Sequence, residues 1–126
     1  MPLLRQLATI VSVLSATLFI GFGVNALARP WHAITFFGLD LPSQPAASRA
    51  VHALIVAYGA RDVFMGASMY VAALYGGRRP LGYTTLAAAA VAAADGVACV
   101  VAQTGAEWQH WGYAPGVALA GVALLA

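Results

Sequence analysis

Three charged residues lie inside otherwise apolar stretches of the sequence, and they form its most reactive combination. Arg61 and Asp62 are adjacent, and Asp95 follows in the next apolar stretch. An arginine can keep one carboxylate ionised as a general base, while a second, desolvated carboxyl stays protonated as an acid. Such a pair suits reactions that need a base and an acid together. Opening an epoxide is one example, and isomerising or cyclising a lipid is another.

The spacing of these residues predicts that they meet at one level. Arg78 lies in a short connection between the two stretches, with Asp62 16 residues before it and Asp95 17 residues after it. If both stretches are antiparallel helices, the two carboxylates lie at nearly equal depth, about 24–26 Å from the connection. We therefore expect Arg61, Asp62 and Asp95 to form one polar layer.

Helix geometry predicts how this layer is connected. Neighbouring residues on a helix point about 100° apart, so we expect Arg61 to reach across to Asp95 more readily than to Asp62. Tyr58 lies one turn before both Arg61 and Asp62, and its hydroxyl can join either of them. The alternative is structural, because a buried arginine–carboxylate pair can also fix the register of two helices. A second acid exceeds what one arginine needs for neutrality, which favours the functional interpretation.

Further polar residues are candidates for substrate binding around this layer: Tyr58, Asn25, Gln103, His52 and Cys99. Each has a simpler structural role as well. Asn25 can bind a neighbouring helix, Cys99 can be a small core residue, and a single histidine at an interface is commonly just hydrated. The three histidines lack the spacing of metal ligands. No phosphate-binding loop, serine–histidine pair or cofactor motif is present. We therefore predict neither a metal nor a cofactor.

The composition identifies the class of protein to which these residues belong. Hydrophobic residues make up 62% of the 126 residues and charged residues only 8%, whereas soluble domains carry about 25% charged residues. This excludes a soluble monomer and a disordered chain. A single cysteine excludes an intramolecular disulfide scaffold. The six arginines are scattered and there is no lysine, so nucleic-acid binding has no support. The class that remains is an integral membrane protein.

Four apolar stretches can supply the membrane-spanning helices. A span needs about 20 mostly apolar residues. The first stretch opens with Arg5, but it is too long for a signal peptide and is interpreted as a retained helix. Short connections between the stretches favour antiparallel neighbours. We predict one domain with an all-α fold, an integral membrane four-helix antiparallel bundle, with helices at about 4–28, 47–75, 81–103 and 107–126.

The connections and the arginines suggest an orientation. The segment 29–45 contains several prolines and aromatic residues and is predicted to be an interfacial or re-entrant loop, while 76–80 is predicted to be a tight turn. Arg5, Arg78 and Arg79 share one side, against Arg29 and Arg49 on the other. This bias places both termini in the cytoplasm. The small residues on the helix faces would also allow a homodimer.

The motif Tyr58-Gly59-Ala60-Arg61-Asp62, with Asp95 in the following helix, resembles a family of small four-span membrane proteins of unknown function. That family is thought to include membrane-bound epoxide hydrolases of fungal polyketide pathways. Separately, the residue set is similar to the Asp-Arg-Asp constellation of limonene-epoxide hydrolases. Those enzymes are soluble α+β proteins, so the resemblance extends to chemistry and not to fold. It implies that Arg61 bridges and that Asp62 and Asp95 divide the roles of base and acid.

The sequence therefore predicts a membrane-embedded, cofactor-free acid–base enzyme whose partners are membrane lipids and a lipophilic small-molecule substrate. Epoxide hydrolysis is the most concrete reaction. One alternative is a small proton-coupled transporter in which Asp62 or Asp95 exchanges a proton for a cation. Small multidrug exporters have a similar length, but they carry their key acid in the first helix, which here has none. The other alternative is a membrane assembly subunit whose polar layer pairs with a partner.

Overall fold

The computed structural model describes the whole chain, Met1–Ala126. It is all-helical and contains no strand, which confirms the predicted secondary-structure class. The helices, in chain order, are α1 (Pro2–Ala28), α2 (Pro30–Ala33), α3 (Pro45–Val71), α4 (Arg78–Val101), α5 (Trp108–Trp111) and α6 (Ala114–Leu125).

The structure differs from the prediction at the fourth stretch. In place of one helix over about 107–126, the chain forms the single turn α5 and then α6. Pro115 explains the break, because a proline ring clashes with the carbonyl group four residues earlier, which here belongs to Trp111. Helix α5 ends at Trp111, and Pro115 takes its place in the first turn of α6, where its missing N–H costs nothing.

The connection between α3 and α4 is tighter than the predicted turn at 76–80. A π-helical turn, Ala72–Gly76, continues α3, and Arg78 already begins α4. The direction of the chain changes at Gly77, which has φ +83° and ψ −167°. This backbone conformation is accessible essentially only to glycine. The two long helices are therefore joined through a single residue, which aligns them as antiparallel neighbours.

The segment between α1 and α3 folds back onto the helices. It forms α2 and then a 3₁₀ turn, Ile34–Phe37, that ends at Gly38. Ala33 and Ile34 are buried against Ala26 of α1 and Ile55 of α3. The prolines do prevent a continuous helix here, while Phe36 of the segment is half-buried and helps to line a cavity described below.

Glycines allow α1 and α3 to approach closely. A Cβ atom added at Gly23 would lie 2.6 Å from the carbonyl oxygen of Gly59, and one at Gly66 would lie 2.5 Å from that of Ala16. These contacts run in opposite directions along the two helices, which are therefore antiparallel. The backbones are in such close contact that a methyl group at either glycine requires the helices to move apart.

Substitution at Gly23 should therefore separate α1 from α3. We expect Gly23→Ala to lower the free energy of unfolding by about 1–3 kcal/mol, because overpacking forces the backbone to shift. Gly21→Ala is the matched control on the same helix, since a Cβ there meets nothing within 4 Å. Thermal unfolding of both variants, followed by circular dichroism, tests this. An equal or higher midpoint for Gly23→Ala than for Gly21→Ala would contradict the packing described.

The remaining helices complete a closed arrangement. Helix α4 packs against α6 in the antiparallel direction, with Gly82 near Gly121 at one end and the Trp111 indole N–H donating to the Ala93 carbonyl (3.0 Å) at the other. Helix α6 also packs against α1, so that α1, α3, α4 and α6 follow one another in cyclic order. The contact between α1 and the short α6 borders one of the cavities described below.

Two of the helices, α1 and α4, are long and apolar enough to cross a membrane. The best spanning window of α1 has 33% of its residues buried within the protein, and that of α4 has 39%. A core helix of a soluble protein would be mostly buried, whereas most residues in these two windows are not buried. Helix α3, which carries Arg49, Arg61 and Asp62, and α6, which has only 12 residues, are not among the helices that qualify.

Candidate functional site

The guanidinium group of Arg61 bridges two carboxylates at the junction of α3 and α4. It forms a two-pronged pair with Asp95, in which Nη1 donates to Oδ1 (3.0 Å) and Nη2 donates to Oδ2 (2.8 Å). Nε and Nη2 also donate to Oδ1 of Asp62, at 3.1 and 2.9 Å. The meeting of these three side chains is what the equal spacing from Arg78 predicts.

One detail of the predicted geometry is wrong. Arg61 was expected to reach Asp95 in preference to its neighbour Asp62, yet it binds both. The long side chain bends back along α3, so that the edge formed by Nε and Nη2 reaches Asp62 while the end of the group reaches Asp95. An arginine presents five donors in a planar fork, and this geometry lets one side chain serve two acceptors.

Burial differs sharply among the three residues. The side chain of Asp62 is 1% exposed and that of Asp95 is 9%, whereas Arg61 keeps 37% of its side chain exposed. Two carboxylates and one guanidinium leave a formal charge of −1 when both acids are ionised. We call these three side chains the Asp–Arg–Asp cluster.

Tyr58 links this cluster to a cavity. Its ring lies 4.8 Å from Cζ of Arg61, within the range of a cation–π contact, and its other neighbour is the Phe37 ring at 5.2 Å. The cavity has a volume of about 160 Å³ and is lined by Phe22, Phe36, Tyr58, Gln109, His110 and Tyr113. Tyr58 therefore forms a wall shared by the cavity and the Asp–Arg–Asp cluster. The three charged residues do not themselves line it.

His110 is a cavity residue that was not among the substrate-binding residues selected from the sequence. A single histidine at an interface is commonly hydrated, but His110 is only 5% exposed. Its Nε2 lies 3.1 Å from the carbonyl oxygen of Phe36, and its ring packs against that of Phe37 at 4.8 Å. The partners come from a segment 74 residues earlier, so no local spacing could have revealed them. His110 connects α5 to the 3₁₀ turn and is one of the residues that line the cavity.

The other predicted binding residues are not brought to this cavity. The Oδ1 atom of Asn25 lies 3.1 Å from Nδ1 of His32, while the Nδ2 atom of Asn25 is buried without a hydrogen-bond partner. His52 is exposed, with its ring near that of Trp31. Gln103 is exposed beyond the end of α4, in a left-handed conformation with φ 56°.

Cys99 is completely buried one turn beyond Asp95 and carries a free thiol. It packs inside the protein without lining the cavity, which is consistent with a small core residue. No group of three or more His, Cys, Asp or Glu side chains is placed to hold a metal ion. The reactive groups that the structure brings together are therefore Arg61, Asp62, Asp95 and Tyr58.

Comparison with known proteins shows the family of the chain. A family model described as a domain of unknown function (DUF4267) matches residues 16–124, and the chain belongs to that family. The matched region includes the whole Asp–Arg–Asp cluster and every residue that lines the cavity. No curated protein and no solved structure matches the chain. The prediction of a family of unknown function is thus confirmed, while its description provides no link to epoxide hydrolases.

Proposed function

We propose that this member of the DUF4267 family is a membrane-embedded, cofactor-free hydrolase that opens epoxides in lipophilic molecules. The observation that carries the proposal is the bridging of two nearly buried carboxylates by Arg61, next to a cavity with mostly aromatic walls. Epoxide opening requires a base and an acid at the same time, and this cluster offers two carboxyl groups that can differ in protonation.

The membrane setting that we propose is a four-helix antiparallel bundle in which α3 and α5–α6 also cross the bilayer. Its support is the apolar outer surface, which continues onto these two segments through exposed Leu54, Phe64 and Val71 on α3 and Leu119 and Val122 on α6. Solvating so large an apolar surface in water would be unfavourable, whereas lipid chains accommodate it. The two carboxylates of the cluster would then be shielded from lipid by the helices around them.

The proposed orientation places both termini in the cytoplasm. Arg5 donates to the carbonyl oxygen of Ala126 (3.3 Å) and Arg78 to that of Leu124 (2.8 Å). The start of α1, the connection between α3 and α4, and the end of α6 therefore lie at the same end of the protein. The arginines at this end are Arg5, Arg78 and Arg79, and their excess over the opposite end supports a cytoplasmic location.

The geometry suggests separate roles for the two acids. Both oxygens of Asp95 accept hydrogen bonds from Arg61, and Asp95 is the more exposed of the two acids. It is the better candidate for the base that activates water. Arg61 contacts only Oδ1 of Asp62, so that Oδ2 can carry a proton and donate it. Asp62 is therefore assigned as the acid.

The proposed reaction uses only water and the two acids, and needs no cofactor. Asp95 accepts a proton from water as the water oxygen bonds to one epoxide carbon. The bond from that carbon to the epoxide oxygen breaks, and this oxygen takes the proton of Asp62. The product is a vicinal diol, with Asp95 protonated and Asp62 ionised. Transfer of one proton from Asp95 to Asp62 restores the starting state, and Arg61 stays bonded to both acids throughout.

Purified protein in sealed liposomes tests the proposal directly. We expect a lipophilic epoxide such as 1,2-epoxydodecane to be converted to its diol, with no movement of protons across the membrane as reported by an enclosed pH-sensitive dye. Empty liposomes are the control for spontaneous hydrolysis. Proton movement driven by the added compound without diol formation would instead indicate a transporter. If neither diol formation nor proton movement is seen with any of a panel of lipophilic epoxides, the cluster has a structural role only.

A further inference from the structure

Two cavities of the protein meet at the same pair of residues. The cavity beside the Asp–Arg–Asp cluster includes Phe22 of α1 and Tyr113 at the start of α6. A second cavity of about 130 Å³ shares both of these residues and continues between α1 and α6, where it is also lined by Ser15, Leu18, Phe19 and Val117. The two cavities therefore adjoin at Phe22 and Tyr113, and we call them together the α1–α6 channel.

The two ends of the channel differ in chemistry. The end near Tyr58 has polar groups from Gln109, His110 and the two tyrosines among its aromatic walls. The far end is apolar, and its single hydroxyl, that of Ser15, donates to the carbonyl oxygen of Val11 on its own helix (2.8 Å). Because no hydrogen-bonding group is left free there, the far end favours an aliphatic chain over a polar group.

The length and the position of the far end also suit an aliphatic chain. From Phe22 to Ser15 the channel follows α1 for seven residues, or about 10 Å. Leu18 in its wall is 59% exposed on the outer surface of α1. An aliphatic molecule dissolved in the lipid could therefore enter between α1 and α6 without crossing the aqueous phase.

We infer that the substrate carries its epoxide at or near the end of an extended aliphatic chain. The chain lies in the α1–α6 channel, and the epoxide reaches past Phe22 and Tyr113 to the Tyr58 end. This deepens the proposed function and rests on it, because the assignment of the reactive end depends on the Asp–Arg–Asp cluster. The channel itself predicts discrimination by chain length, since a short epoxide leaves the far end empty.

Val117→Trp tests the inference by filling the far end of the channel from α6. We expect the ratio of kcat/KM for 1,2-epoxydodecane to that for 1,2-epoxyhexane to fall by about tenfold or more, because a single methylene in an apolar pocket is already worth about 10-fold or more. Val122→Trp is the matched control, since Val122 lies on the same helix, is 54% exposed and lines neither cavity. Its ratio should match that of the wild type.

A second variant keeps the inference testable if Val117→Trp misfolds. Ser15→Leu fills the same space from α1, and it should lower the same ratio if its helical circular dichroism matches the wild type. An unchanged ratio in both folded variants would overturn the inference. So would an equal loss for the short and the long epoxide.

A binding experiment separates failure of the inference from failure of the proposed function. A long-chain aliphatic alcohol that carries a photoreactive diazirine is added to the protein in liposomes, and labelled residues are mapped by mass spectrometry. Labelling concentrated on Phe19, Phe22 and Val117, and lost in Val117→Trp, supports the channel even if no epoxide is hydrolysed. Labelling spread evenly over the lipid-facing leucines would overturn the channel, whether or not diol is formed.

Discussion

Asp95→Asn and Asp62→Asn should each lower the rate of diol formation by about 10²–10⁴-fold, the usual contribution of one general acid or base. An amide keeps the shape of the carboxyl group but neither accepts the proton of water nor donates one to the epoxide oxygen. Each substitution leaves Arg61 paired with one remaining acid, so its positive charge keeps a partner and folding should be retained. Initial rates on 1,2-epoxydodecane in liposomes measure the effect.

The matched control is Asp40→Asn, which makes the same chemical change at an exposed acid in the connection between α1 and α3. Its rate should equal that of the wild type. Rates in Asp62→Asn and Asp95→Asn that stay within about twofold of the wild type, in proteins with unchanged helical content, would remove the assigned acid and base from the mechanism.

Arg61→Met should produce the largest loss of stability. It leaves two carboxyl groups, 1% and 9% exposed, without their counter-charge, and breaking a buried ion pair in this way costs about 3–5 kcal/mol. Methionine retains much of the aliphatic stem of arginine, so the loss reports the charge and its hydrogen bonds more than packing. The free energy of unfolding in detergent, from denaturant titration followed by circular dichroism, provides the measurement.

A triple variant distinguishes stability from activity. Adding Asp62→Asn and Asp95→Asn to Arg61→Met removes every charge of the cluster, and we expect most of the lost stability to return. Diol formation should stay absent, because no acid or base is left. If Arg61→Met alone unfolds like the wild type, the two carboxyl groups do not depend on the guanidinium for their burial.

The central part of the site could be predicted from the sequence because it depends on local geometry. The rise per residue of a helix and the position of a turn place Asp62 and Asp95 at one depth, and Arg61 lies beside them. The bend of the Arg61 side chain towards Asp62 depends on rotamers and on the space left by neighbours, which spacing does not encode. The spacing therefore predicted the meeting of the residues but not the full set of hydrogen bonds.

The lining of the cavity could not be predicted, because its walls come from parts of the chain that lie far apart in the sequence. Phe22 belongs to α1, Phe36 to the 3₁₀ turn, Tyr58 to α3 and His110 to α5. They come together through tertiary packing that no periodicity reveals. The predicted binding residues Gln103 and His52 lie away from this cavity, since similar depth in the bundle does not determine which side a residue faces.

The fold could be predicted in class and in the position of its long helices, since runs of apolar residues mark helix bodies well. The break between α5 and α6 was missed, although Pro115 indicates it, because the apolar run continues across it. The membrane assignment follows from surface composition, and α1 and α4 support it by length and hydropathy. The further spans through α3 and α5–α6 stay a prediction.

Single-turnover hydrolysis in water enriched with ¹⁸O tests the central claim most directly. With protein in excess over 1,2-epoxydodecane, direct attack by a water that Asp95 activates should place ¹⁸O in the diol during the first turnover, with none in the protein. An unlabelled diol in the first turnover, accompanied by ¹⁸O in Asp62 or Asp95, would show that a carboxylate attacks the epoxide itself and forms an ester. That result would contradict the assigned roles of the Asp–Arg–Asp cluster.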